Sequence, residues 1–316
     1  MNLLHFRASL RSRAFDLVED PIASRLWHGL RKAFPMALAA ILMPDHLHII
    51  LRALDMLAAR RRLRAALRGA AWGLGRGTWR PLEMPRVIPN LKHLRRQVRY
   101  IHLNPCRDDL VDDPLRWLWS THRDVMGATL DPWVEPARLG EELRWPSWGF
   151  QDEFHHYVSS DPSVDVRGTP PPTRFANEAG SIPDLDQVIG AVSAASRQTA
   201  SDTLETPASR RLFLSLAQAV GWTDASLLAE IAGVTRRTVE RNNRPLDAPT
   251  LDTLLLNLGD DRLLEPEPPR SRMRAPRLEA IAAKTPALSP TTKSDFLSPC
   301  ATFPRSRGSR FGPMSY

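Results

Sequence analysis

Apolar and polar positions alternate over residues 3–15, with Leu4, Phe6, Ala8 and Leu10 set against His5, Arg7, Ser9 and Arg11. Successive side chains of an extended chain point to opposite faces, so this pattern predicts a half-buried strand. The period then changes. Ile22, Leu26, Leu30 and Phe34 recur every fourth residue, behind Asp20 and Pro21 as a start signal and ahead of Pro35 as a stop, which predicts a helix. Two short apolar runs at 37–43 and 46–51 read as strands, with Pro44 at a bend or edge between them. Helical spacing returns over 56–67. Gly, Pro and Trp mark 69–89 as a loop, and a further helix runs from Leu91 through Tyr100 to Pro105, whose ring and missing N–H forbid its continuation.

The second half divides by composition. Residues 149–181 carry Pro162 and the run Pro170, Pro171 and Pro172 with little periodic apolar content, and read as a linker between a first domain at 1–148 and a second at 182–264. The second domain regains helical periodicity, with helices expected at 185–197 and 208–220. Within 225–242, Ala229 is the small residue where two helices would cross, Gly233 the turn and Val239 the apolar contact beneath the second helix. This is the spacing of a helix-turn-helix, although an ordinary pair of antiparallel helices would share it. Residues 265–316 are rich in Pro, Ser and Arg, poor in core-forming side chains, and expected to be disordered. No internal repeat is visible.

Charge narrows the partners. The 316 residues carry a net charge of +8, which favours a polyanion such as nucleic acid over an acidic small molecule. Arg60, Arg61 and Arg64 on the helix at 56–67, and Arg95, Arg96 and Arg99 on the helix after Leu91, are either solvated faces or phosphate-tracking ones. Arg236, Arg237, Thr238 and Arg241 would lie on the second helix of the helix-turn-helix, free to meet phosphates or base edges of a duplex. Trp117, Trp119 and Trp133 read as core or loop anchors rather than base-stacking platforms. Two cysteines, Cys106 and Cys300, allow neither a disulfide framework nor a multi-cysteine zinc site. No apolar run reaches the ~20 residues of a spanning helix and the N-terminus lacks the order of a signal peptide, so a cytoplasmic, non-membrane protein is expected, as a monomer or homodimer.

Two segments carry candidate chemistry. In His46-Leu47-His48 the imidazoles are two residues apart, so a strand would project both from one face with Leu47 on the other. Alone, such a pair is incidental more often than metal-binding. In Tyr100-Ile101-His102-Leu103-Asn104-Pro105 a helix would bring Tyr100 and Asn104 to one face, four residues apart, where a nucleophile and a third ligand could meet one ion. Taken singly, Tyr100 reads as an amphipathic core edge and Asn104 as a residue at a helix end.

Together these segments resemble the HUH single-tyrosine transposases, in particular the REP-associated branch. Met43-Pro44-Asp45-His46-Leu47-His48-Ile49-Ile50-Leu51 is similar to the family's histidine strand and residues 100–107 to its tyrosine helix. Leu110-Val111, Pro114, Trp117 and Trp119-Ser120-Thr121-His122-Arg123 follow in order before Gly127. The resemblance spans about residues 3–135. It implies an α+β fold with a ferredoxin-like domain whose central antiparallel sheet presents the histidines beside the tyrosine helix. It also implies His46, His48 and Asn104 as ligands of Mg²⁺ or Mn²⁺, and Tyr100 as the nucleophile that cuts and rejoins single-stranded DNA at palindromic hairpins. A phenol, with an ordinary pKa of about 10, needs such a cation to offset the charge that builds during attack. The segment at 182–264 is similar, more loosely, to the helical DNA-binding domain that some of these transposases carry. Asp45 departs from the family, which more often has Asn there. An inactive relative acting as a DNA-binding regulator is the competing reading, and a hydrolase using the same histidines on water ranks below both for want of an obvious carboxylate base.

Overall fold

The fold is a mixed α+β arrangement in a computed structural model that describes residues 1–12, 16–70, 77–176, 182–242 and 245–264. The tail at 265–316 with Cys300 and Tyr316, part of the loop expected at 69–89 and the end of the expected linker lie outside those residues. The first half is laid down as β1 (Asn2–Ser9), α1 (Ile22–Ala33), β2 (Ala39–Leu42), β3 (His46–Ala53), α2 (Met56–Ala70) and β4 (Arg86–Ile88). Among the described residues the strands form one sheet in the order β2-β3-β1-β4 with every neighbouring pair antiparallel.

Alternation sorts the side chains of this sheet into two layers. Leu4, Phe6, Ala8, Leu42, Leu47, Ile49 and Leu51 pack against Leu26, Trp27 and Leu30 of α1 and Leu63 and Leu67 of α2. Ala39, Ile41, Ile50 and Ile88 face the other way and are covered by Leu94, Val98 and Ile101 of α3 (Leu91–His102). Asn90 starts α3 by accepting the backbone N–H of His93 at 3.1 Å. The strand expected over 3–15 is shorter than its pattern: β1 ends at Ser9 and Leu10 makes a single bridge to Trp79. β4 lies in the stretch read as loop, because three residues are too few to show an alternation.

The helix expected to run to Pro105 stops at His102. Leu103 breaks it, and α4 (Asn104–Arg107) begins with Pro105 in its first turn, where no N–H is required. Tyr100 and Asn104 therefore sit on two helices, not one. A 3₁₀ turn (Pro114–Arg116), α5 (Thr121–Val125), α6 (Pro136–Leu143) and α7 (Phe150–Ser159) follow. The last corrects the linker expected from 149. Phe150, Phe154 and Val158 recur every fourth residue and, with Val164 and Val166, are buried in the same core as α3. The prolines beyond 160 gave the stretch its linker composition, yet the apolar stripe before them is a packed helix.

The helical half comprises α8 (Leu185–Ser196), α9 (Ala200–Glu205), α10 (Pro207–Ala219), α11 (Ala225–Ile231), α12 (Arg236–Arg241), α13 (Ala248–Gly259) and α14 (Asp261–Leu264). It is docked on the first half by buried polar groups. Asn257 donates to the carbonyl of Ala128 at 2.9 Å, the fully buried Arg123 donates to the carbonyl of Leu263 at 2.6 Å, and Leu130 N–H donates to Ala195 at 3.0 Å. Arg262 pairs with Asp113 at 3.0 Å. Arg197, lying over Trp27 at 4.7 Å, pairs with Asp124, whose carboxylate also accepts from Trp133 N–H at 2.9 Å and the Thr129 hydroxyl at 3.0 Å. Trp117, Trp119 and Trp133 are all buried. Removing one member of a buried ion pair leaves the other charge uncompensated. Asp124→Ala is expected to lower the unfolding free energy in urea by about 3–5 kcal/mol; a loss within experimental error would show that this junction does not hold the two halves together.

Candidate active site

His46 and His48 occupy the first and third positions of β3, and the pleat turns both toward the layer covered by α3, with Leu47 buried on the other side. The rings stand nearly perpendicular, their centroids 4.9 Å apart. Each is oriented by a second group. His46 Nδ1 donates to Asp45 at 2.7 Å, which leaves its Nε2 lone pair to accept from the side-chain amide N–H of Asn104 at 3.3 Å. His48 Nδ1 shares a hydrogen bond of 2.9 Å with His5 Nε2, and its own Nε2 is buried without any partner. Half-buried Tyr100 meets His48 edge to face at 5.9 Å, and the guanidinium of Arg107 lies 5.4 Å over the Tyr100 ring. All four residues singled out in the two sequence segments thus converge, with Asn104 on α4 just beyond the interruption at Leu103.

Electrostatics keeps the imidazoles neutral. Burial pulls His48 down to about 2, helped by His46, His5 and Arg7, and pulls His5 down to about 4, helped by Arg86 and Arg7. Burial also lowers His46, with its hydrogen bond to the Asp45 carboxylate opposing the shift. A neutral imidazole with an exposed lone pair is the form that binds a metal. Among the described residues no three His, Cys, Asp or Glu side chains form a metal-holding group. The orphaned Nε2 of His48, the lone pair on His46 and an adjacent carboxamide nevertheless fit a divalent cation taking mixed nitrogen and oxygen ligands.

His5, Arg7, Arg86 and Arg107 belong to this neighbourhood and were not singled out from the sequence. The alternation of strand 1 put His5 and Arg7 on its polar phase, but only the register, with Arg7 opposite His48 and Arg86 opposite His5, places them at the histidines.

The arginines expected to track phosphates are dispersed. Arg60, Arg61 and Arg64 lie on α2, in the layer across the sheet from the histidines. Arg60 is tied to the carbonyls of Leu82 and Glu83, the latter at 3.3 Å, Arg61 lies 3.9 Å from Asp55, and Arg64 is exposed. Arg95 donates to the carbonyl of Leu143 at 2.9 Å and stacks on Trp145, closing the end of α6, so its donors are spent on structure. Arg96 is exposed. Arg99 pairs with Asp161 at 3.2 Å beneath the ring of Tyr157, a residue of α7 rather than of a linker.

The helix-turn-helix pattern takes the form of α11 and α12 joined at Gly233, whose φ of +62° suits glycine. Val239 is buried beneath α12, while Arg236, Arg237, Thr238 and Arg241 are exposed and Arg236 pairs with Glu240 at 2.7 Å.

A second histidine cluster lies deeper. His102 meets the Thr121 hydroxyl at 3.1 Å, and His122 is hydrogen-bonded to His155 at 3.0 Å.

No family model matches the chain, and no curated protein does. Among solved structures it is similar to a REP-associated tyrosine transposase bound to a REP hairpin, at 25% sequence identity and a TM-score of 0.34, over 39% of this chain and 79% of that one. At this TM-score the likeness decides neither the fold nor the activity. Among the described residues no helix is long and apolar enough to cross a membrane.

Burial pushes His122 well below 6.5, so the folded chain keeps it neutral while the unfolded chain takes up a proton below that pH. The stability it contributes is therefore complete above about pH 6.5 and lost as pH falls, at about 1.4 kcal/mol per unit. His5 and His48 act in the same direction. Urea unfolding at pH 7.5 and 5.5 is expected to differ by more than about 2 kcal/mol for the group; equal stabilities at the two values would contradict neutral buried imidazoles.

Proposed function

We propose that this chain is a metal-dependent DNA strand-transferase of the HUH single-tyrosine kind, acting on single-stranded DNA at hairpins. The observation that carries the reading is the meeting of His46, His48, Asn104 and Tyr100 at one end of the sheet from segments far apart in sequence. The succession β1-α1-β2-β3-α2-β4 with sheet order β2-β3-β1-β4 supports a ferredoxin-like catalytic domain.

His46, His48 and the carboxamide of Asn104 would hold Mg²⁺ or Mn²⁺, which when bound supplies a Lewis acid for the scissile phosphate oxygens. Asp45 accepts from His46 Nδ1, which leaves its Nε2 unprotonated, and a proton on His48 Nδ1 donated to His5 would leave that Nε2 unprotonated too. Tyr100, half-buried and so open to a strand from solvent, attacks phosphorus. A bond to its phenolic oxygen forms as the bond to the 3′-oxygen breaks, giving a 5′-phosphotyrosine and a free 3′-hydroxyl. Arg107, paired with Asp161 at 2.7 Å, lies over the ring and helps to hold it in place. Because the ester is retained, a second 3′-hydroxyl can reverse the step and join strands without ATP.

The exposed side chains Arg237, Thr238 and Arg241 on α12 support a duplex contact beside the hairpin. They also favour a second reading, a DNA-binding regulator with the same helix-turn-helix and no chemistry.

End-labelled hairpin DNA with Mn²⁺ is expected to give a covalent protein–DNA band that Tyr100→Phe abolishes and that His46→Ala or His48→Ala reduces by at least about 100-fold. Binding without any band points to the regulator. Asp45→Ala should weaken Mn²⁺ binding, followed by titration calorimetry, by about 10- to 100-fold, an effect that a purely structural Asp45 would not produce. For the second surface, Arg237→Ala is expected to lower the salt slope of duplex binding by about 0.9; an unchanged slope would remove α12 from the interface.

A further inference from the structure

The sheet face that carries the histidines changes character across a single strand. In the β1–β3 ladder Arg7 stands directly opposite His48, and in the β1–β4 ladder Arg86 stands directly opposite His5. Residues opposite one another in an antiparallel pair share a face, so His5, Arg7, His48 and Arg86 form one contiguous block. Its two imidazoles are buried, and its two guanidiniums are exposed. α3 covers the sheet over Ile41, Ile50 and Ile88, and at this end the guanidiniums of Arg7 and Arg86 reach solvent.

Most arginines of the first half have their donors engaged: Arg60 and Arg95 on backbone carbonyls, Arg99 and Arg107 on Asp161. Arg7 and Arg86 are not engaged, as Arg64 and Arg96 are not, but of these only Arg7 and Arg86 stand in the ladders beside the histidines. Among the described residues neither makes a hydrogen bond or an ion pair, yet both are close enough to be felt by His5 and His48. A free guanidinium presents a rigid fork of N–H donors matched to phosphate oxygens. Diagonal neighbours across a ladder have Cα atoms roughly 7–8 Å apart, so two such long side chains can grip one phosphate or two successive ones.

We infer that Arg7 and Arg86 form the subsite for the sugar-phosphate backbone of the strand to be cut, so that single-stranded DNA reaches the histidines across the β1–β4 edge. The role in cutting rests on the strand-transfer reading above; the single-strand subsite itself does not. The strand path excludes the basic outer face of α2, which lies in the layer beyond the sheet.

The test uses the full-length protein and a fluorescein-labelled single-stranded oligothymidylate, with affinity measured by anisotropy over a series of salt concentrations. Arg7→Ala and Arg86→Ala are each expected to weaken binding and to lower the slope of log affinity against log salt by about 0.7, with the double variant losing about twice that. Arg61→Ala, on α2, is expected to leave affinity and slope unchanged. Arg7→Lys should restore the slope but not the full affinity, since an ammonium keeps the charge without the fork. Both arginines are exposed, and matching thermal unfolding curves would show that the variants keep the fold. Wild-type affinity and slope in both alanine variants would overturn the subsite. The covalent-band assay is separate: absence of a Tyr100-dependent band in the unmodified protein counts against strand transfer, whereas the salt slopes judge the subsite alone.

Discussion

The register between β1 and β3 is the constraint on which the candidate site depends. Side chains alternate along a strand, so a slip of one residue would carry His46 and His48 into the layer of α1 and α2 and bring Leu47 and Ile49 out beneath α3. The register is held from the opposite face. Phe6, Ala8, Leu47 and Ile49 are buried there, and large apolar side chains are each worth about 1.5–3 kcal/mol when removed from water. Residues with no chemistry of their own thereby decide which way the histidines point.

The other half of the site is carried by α3 and the start of α4. α3 is held on the sheet by Leu94, Val98 and Ile101, and this stripe leaves Tyr100 at the edge of the covered region, half-buried. Leu103, between α3 and α4, keeps a right-handed helical backbone, and Asn104 just beyond it reaches His46 at 3.3 Å. Local helix chemistry and long-range sheet pairing meet only at this point, which is why neither segment is informative alone.

The helical half bears on how the proposed surfaces work together. Arg123 and Arg197 are buried where the halves meet, and the contacts of Asn257 and Leu130 cross the same boundary. Separating the halves would break the Arg197–Asp124 pair and the hydrogen bonds of Arg123, Asn257 and Leu130 that cross the boundary. α11 and α12 pack on α8, α10 and α13 in the core of the helical half, so they join the first half through the helices that cross the boundary.

What the amino-acid sequence determined alone was local and periodic. The alternation of residues 3–10, the fourfold recurrence of Ile22, Leu26 and Leu30, and the glycine turn before α12 each reflect a preference that neighbouring residues express without help from the rest of the chain. The pairing of His46 with His48 on one face was legible for the same reason. The tertiary structure decided what required knowing which segments meet. It brought His5 to His48 and Arg7 beside it, put the arginines of α2 in the layer across the sheet, spent Arg95 on a helix end, and turned the supposed linker into α7. Pairing partners many residues apart are selected by the burial of whole faces, and that free energy belongs to the assembled sheet and helices rather than to any stretch of sequence.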